Sequence, residues 1–185
     1  GVQTCALPIS GSRDIFIAKY DVAGTVLWAK PAGGTYSDEG TSLATDVNGN
    51  VYVTGMFNGA AITFGTTILT NASNNGYNDI FIAKYDTTGT LLWATSAGGT
   101  SYDSGISICT DANGNVYVTG DFQSTTISFG TITLTNANNS GLDNDVFIVK
   151  YAPNGTVLWG NSAGTAGYDR GSCVSTDTSG NVFVA

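Results

Sequence analysis

The chain has 185 residues, 42% of them apolar, which is enough for one domain with a sizeable core and excludes a disordered tail. Charged residues are only 11%, and polarity rests on Thr, Ser, Asn and 25 Gly, the balance of a turn-rich extracellular β protein. The net charge of −8 leaves no basic stripe for nucleic acid and no polybasic patch for a membrane surface, and the absence of His excludes His-based triads and His-ligated zinc.

The opening "GVQTCALPIS" lacks the charged start and long apolar stretch of a signal peptide. Residues 1–9 are similar to a frame translation of a common sequencing-library adapter. Residues 1–13 are therefore set apart as a non-native or disordered segment, and the chain is read as a truncated piece of a longer protein. The first patterned stretch is "DIFIAKYD", Asp14–Asp21, short, apolar and bounded by turn residues, which predicts a strand buried on both faces. It recurs unchanged at Asp79–Asp86 and as "DVFIVKYA" at Asp145–Ala152, so the offsets are 65 and 66 residues (14 to 79, 79 to 145). "GTVLWAK" from Gly24 follows a turn, predicts the next strand, and recurs from Gly89 and Gly155.

After this strand come "TYSDEG", "TSYDSG" and "AGYDRG", where the outer strand of one blade is expected to cross to the next. "TDVNGNVYVTG" (Thr45–Gly55), "TDANGNVYVTG" (Thr110–Gly120) and "TDTSGNVFVA" (Thr176–Ala185) each predict a hairpin, with Gly at the bend. "TTISFGTITLTN" (Thr125–Asn136) predicts an extra short hairpin turning at Gly130. No stretch carries a 3.6-residue apolar period, so no helix is expected. The repeats run 14–78, 79–144 and 145–185, the last stopping early.

Four strands per unit at a fixed spacing describe propeller blades, whose two apolar faces are covered only by neighbouring blades. The expected fold is all-β, an incomplete propeller: an open arc of two to three four-stranded blades with an extra hairpin per repeat. Trp28, Trp93 and Trp159, like Phe16, Phe81 and Phe147, stand in register and are expected to fill the contacts between blades. Lys19, Lys84 and Lys150 recur inside the apolar strand and are expected to reach water or an Asp from a strand end. Cys109 and Cys173 stand at non-equivalent positions and read as small core residues rather than a disulfide.

The strings Gly114–Gly120, Asp145–Lys150, Gly155–Trp159 and Gly98–Gly105 resemble the hallmark of the SBBP family of bacterial extracellular β-propeller repeats. The resemblance covers residues 14–185. It implies a large secreted or cell-surface bacterial protein and no particular activity.

Asp38, Asp103 and Asp169, with Tyr36, Tyr102 and Tyr168 beside them, are the candidate ligand-binding residues. The Asp side chains suit acid–base pairs or a cation; equally, each is suited to cap backbone N–H groups of its own loop. The "DVNGN", "DANGN" and "DTSGN" stretches faintly suggest Ca²⁺, but no Glu stands at the twelfth position, so they read as hairpin turns and no cofactor is expected. No catalytic residue emerges. The expected function is a non-enzymatic scaffold or protein-interaction module, with a glycan-binding lectin as the second reading. A carboxylate-based hydrolase or lyase with its site in other blades is the third. The expected partners are a protein or glycan and the remaining blades of the parent chain.

Overall fold

The computed structural model describes residues 13–73, 76–138 and 142–185; the adapter-like stretch lies outside them. Sixteen strands follow in chain order among the described residues: β1 (Ile15–Tyr20), β2 (Val26–Gly34), β3 (Asp38–Thr45), β4 (Val51–Phe57), β5 (Ala61–Phe64), β6 (Thr67–Thr70), β7 (Asp79–Tyr85) and β8 (Leu91–Ala97). Then come β9 (Asp103–Thr110), β10 (Val116–Phe122), β11 (Thr126–Phe129), β12 (Ile132–Thr135), β13 (Asp145–Tyr151), β14 (Val157–Ala163), β15 (Val174–Thr176) and β16 (Val182–Val184). No helix occurs among the described residues, and none is long and apolar enough to cross a membrane.

Two complete blades have the orders β3-β4-β7-β8 and β9-β10-β13-β14, every neighbouring pair antiparallel. β1 and β2 supply the outer half of a preceding blade, and β15 and β16 the inner half of a following one. The architecture is an incomplete β-propeller, as the repeat predicts. The short hairpin of each repeat does not extend its own blade: β5 pairs with β2, Ala32 opposite Phe64, and so widens the sheet before it. Its copy β11-β12 touches β8 through one bridge, Gly98 to Ser128, and turns at Gly130, whose φ of 59° places it in the left-handed region.

The period of two along β7 explains why its sequence reads as an unbroken apolar run. Phe81, Ala83 and Tyr85 face the core shared with the first sheet, while Ile80 and Ile82 face the core shared with the third. Each interface carries the same aromatic set. Phe64 of the inserted hairpin meets Phe81 at 5.1 Å between ring centroids, and Phe129 meets Phe147 at 5.0 Å. Trp28 stacks on Tyr85 of the next blade and donates Nε1–H to Thr87 O at 3.0 Å; Trp93 does the same to Tyr151 and to Pro153 O at 3.1 Å. Trp28, Trp93, Phe81 and Phe147 thus join blades, each ring combining large apolar area with, for Trp, one satisfied donor, whereas Phe16 is 65% exposed and Trp159 meets Tyr117 of its own blade, against expectation.

Lys84 and Lys150 reach the turn Asp of their own blade, and Lys84 also reaches the next blade. Lys84 Nζ lies 3.9 Å from Asp46 and donates to Pro153 O at 2.9 Å; Lys150 Nζ lies 3.8 Å from Asp111. Threonines link the inner strands, Thr110 Oγ1–H to Thr45 O and Thr176 Oγ1–H to Thr110 O. Cys109 and Cys173 are both free thiols, and burial pushes that of Cys109 up to about 11.

Candidate functional site

The bend between the two inner strands of each repeat is closed by its own Asp. Asp111 Oδ1 accepts from Asn113 N and Asn115 N, and Oδ2 from Asn115 Nδ2 and the Tyr117 hydroxyl; Asp46 repeats the pattern with Asn48, Asn50 and Tyr52. Burial pushes both carboxyls up, but these hydrogen bonds outweigh it and hold both below the usual range. The Asp-Asn-Gly pattern is therefore spent on turn geometry. Among the described residues no three His, Cys, Asp or Glu side chains gather to hold a metal.

The crossings are built differently. Asp38 is 2% exposed and Asp103 0%, whereas Asp169 is half-buried. All three close their own loops: Asp38 Oδ2 accepts from Gly34 N at 2.6 Å, Asp103 Oδ2 from Gly99 N at 2.9 Å, and Asp169 Oδ2 from Thr165 N at 2.8 Å. Asp103 also accepts from the Ser124 hydroxyl at 2.8 Å. Burial pushes the Asp38 carboxyl up to about 6, with the charge of Asp14 adding to it, and the Asp103 carboxyl up to about 7, with the charge of Asp79 adding to it.

A second aspartate meets each of these, and reading the sequence by motif alone missed it. Asp14, Asp79 and Asp145 open the repeated apolar strands and lie over the first Gly of the crossing: a Cβ on Gly33, Gly98 or Gly164 would fall 2.1, 2.0 or 2.2 Å from the carboxylate Oδ1. Asp79 is 1% exposed, accepts from Ala72 N at 2.6 Å through Oδ2, and burial pushes its carboxyl up to about 6. The signal was present: "AGGT" is followed four residues after its second Gly by Asp, and "DIFIAKYD" opens on Asp, but only the fold puts the two on one peptide.

The tyrosines stand on the rim of the same crossings. Tyr36 is 61%, Tyr102 46% and Tyr168 72% exposed. Tyr102 packs edge-on against Tyr77 at 4.7 Å. Tyr102 and Tyr168 each directly precede the Asp of their crossing, and Tyr36 stands two residues before Asp38. The repeats differ here. Met56 of β4 meets Asn78 Nδ2 and Ser104 Oγ; the equivalent Asp121 of β10 takes a hydrogen bond from Asn144 Nδ2 and lies 3.7 Å from Arg170 Nε. A hollow of about 790 Å³ runs along β1 and β3 from the first crossing, with Asp14, Asp38 and Glu39 in its lining beside Phe16, Tyr20 and Leu43.

Two segments, residues 28–60 and 92–121, match the SBBP β-propeller repeat. The regulatory protein FlaEY of Caulobacter vibrioides is 32% identical over 113 residues, covering 61% of this chain and 12% of that protein. An uncharacterized WD repeat-containing protein of Acanthamoeba polyphaga mimivirus is 32% identical over 132 residues, covering 69% of this chain and 9% of its own length. The chain thus spans about a tenth of the length of these two relatives. A protein of unknown function from Bacteroides caccae aligns over 94% of this chain and 65% of its own at 15% identity, with a TM-score of 0.27, and bears no weight here. The repeat match and the repeat-protein relatives support a repeat scaffold or interaction module, and neither curated relative is named as an enzyme.

Proposed function

We propose that this chain, which carries SBBP β-propeller repeats, is a non-enzymatic interaction module of a large secreted or cell-surface bacterial protein, and that it binds through the face formed by the blade crossings. The observation that supports this is where the repeats differ. The strands that open each repeat, the Asp of the inner turns and the blade-joining Trp recur with few changes, while the crossing face varies: Glu39, Ser104 and Arg170 at one position, half-buried Met56 and buried Asp121 at another. A nearly constant frame with varied side chains on one face is what a binding scaffold requires. One carboxylate oxygen of Asp38, Asp103 and Asp169 accepts from the backbone of its own loop, which favours the scaffold reading over a hydrolase.

Glycan binding is the second reading, favoured by three exposed Tyr rings beside Gln123 and Asn58, which suit stacking and hydroxyl recognition. A glycan array and a protein pull-down with the full chain separate the two. The triple variant Tyr36→Ala, Tyr102→Ala and Tyr168→Ala is expected to lose the bound partner while keeping the thermal midpoint. Retention of every partner by this variant would remove the crossing face from the function.

A further inference from the structure

Asp79 and Asp103 approach one peptide from two strands. Asp79, on β7, lies against Gly98; Asp103, on β9, takes the N–H of Gly99. Both side chains are almost wholly buried, and Asp79 Oδ1 has no hydrogen-bond partner. The previous crossing repeats this on Gly33 and Gly34, where Asp14 Oδ2 and Asp38 Oδ1 are both buried and unpartnered. A buried acceptor left bare costs about 1–3 kcal/mol, more when charged, and it recurs at the third crossing on Asp145 Oδ1, where the partner Asp169 is only half-buried, so it needs a cause.

The surrounding groups offer no cation. At the second crossing Ala72 contributes its N–H, the turn after β10 contributes Ser124, and the crossing contributes Gly99 N–H. The other titratable groups beside it are the rings of Tyr77 and Tyr102. At the first crossing Asp38 receives Gly34 N–H, and the charged residues next in sequence, Arg13 and Glu39, are exposed. The salt bridges among the described residues lie elsewhere, at Lys84–Asp46, Lys150–Asp111 and Arg170–Asp121.

We propose that each of these two crossings binds one proton between its pair of carboxyl groups, Asp14 with Asp38 and Asp79 with Asp103, and that release of this proton loosens the joint between consecutive blades. Two carboxylates that flank one peptide in a buried site and repel each other cannot both ionise cheaply. A proton turns one bare acceptor into a donor and needs no volume, whereas Ca²⁺ would need about six or more oxygens. The raised ionisation of Asp38, Asp79 and Asp103 agrees in direction. A carboxyl raised in the folded chain binds more protons there than when unfolded, so its contribution to stability is largest in acid and falls as pH rises from about 4 towards 7.

The test is carboxyl ¹³C NMR titration of the full chain, with thermal midpoint and amide exchange across pH. Asp38 and Asp103 are expected to titrate near 6 and 7. The thermal midpoint is expected to fall between about pH 5 and pH 8, and Gly99 N–H, after correction for intrinsic exchange, to exchange about tenfold faster at the higher pH. Asp79→Asn, which keeps an acceptor for Ala72 and replaces the bound proton by an amide, is expected to flatten this dependence. If that variant fails to fold, the titration of the unaltered chain decides alone. Ordinary titration of Asp38 and Asp103 near 4 overturns the proposal, as does a flat profile. Stabilisation by added CaCl₂ at about pH 8 that vanishes in Asp79→Asn also overturns it, placing a metal where the proton is proposed.

Discussion

Phe16, Phe81 and Phe147 occupy one position of the repeat, yet the structure separates them: Phe81 and Phe147 are 0% exposed and Phe16 is 65% exposed. The difference is one missing neighbour. Phe81 and Phe147 each meet the hairpin Phe of the preceding blade, Phe64 and Phe129, whereas β1 turns the same face to the open hollow. Truncating a fully buried Phe to Ala costs about 3–5 kcal/mol, from lost transfer energy plus the cavity left behind. Phe16 keeps about a third of its surface covered, so at about 1.5–3 kcal/mol for a full side chain its truncation is expected to cost about 1 kcal/mol or less, with no cavity. Urea unfolding of the three single variants at one pH measures this through the midpoint at constant slope. Phe147→Ala is expected to exceed Phe16→Ala by about 2–4 kcal/mol. Equal costs would refute the reasoning, because they would mean that the outer face of β1 is packed as fully as that of β13.

Gly98→Ala places a Cβ 2.0 Å from Asp79 Oδ1 and forces that carboxylate off Ala72 N–H; a loss of about 2–4 kcal/mol in unfolding free energy is expected. Trp93→Phe removes the donor to Pro153 O and much of the stack on Tyr151, and is expected to cost about 1–2 kcal/mol in the same assay. Asp46 and Asp111, held below their usual ionisation range, contribute stability above about pH 4 that is lost as pH falls through their folded values. Thermal midpoints are therefore expected to drop again in strong acid, and Asp111→Asn to weaken that acid limb. Together with the falling alkaline side expected from the crossings, the profile has its maximum near about pH 4–5.

The repeat made the fold class legible. Identical strings at offsets of 65 and 66 residues named the strands, the turns and the blade-joining aromatics, because a unit that cannot bury its own two faces must keep the same residues wherever a neighbour covers them. Turn chemistry was equally local: an Asp that binds its own backbone and a Gly at positive φ need no distant partner. Three features lay beyond that reach. The inserted hairpin pairs with the preceding sheet, a choice set by which edge is open rather than by its sequence. Phe16 and Phe147 share one sequence context and opposite exposure, because burial belongs to the neighbour and not to the residue. Asp79 and Asp103, 24 positions apart, become a pair only when β7 and β9 converge on Gly98 and Gly99, so the sequence alone marked Asp103 as a candidate ligand or loop cap and left Asp79 unremarked. Periodic sequence determines what must be covered; the packing of one blade on the next decides which groups end up facing each other without water between them.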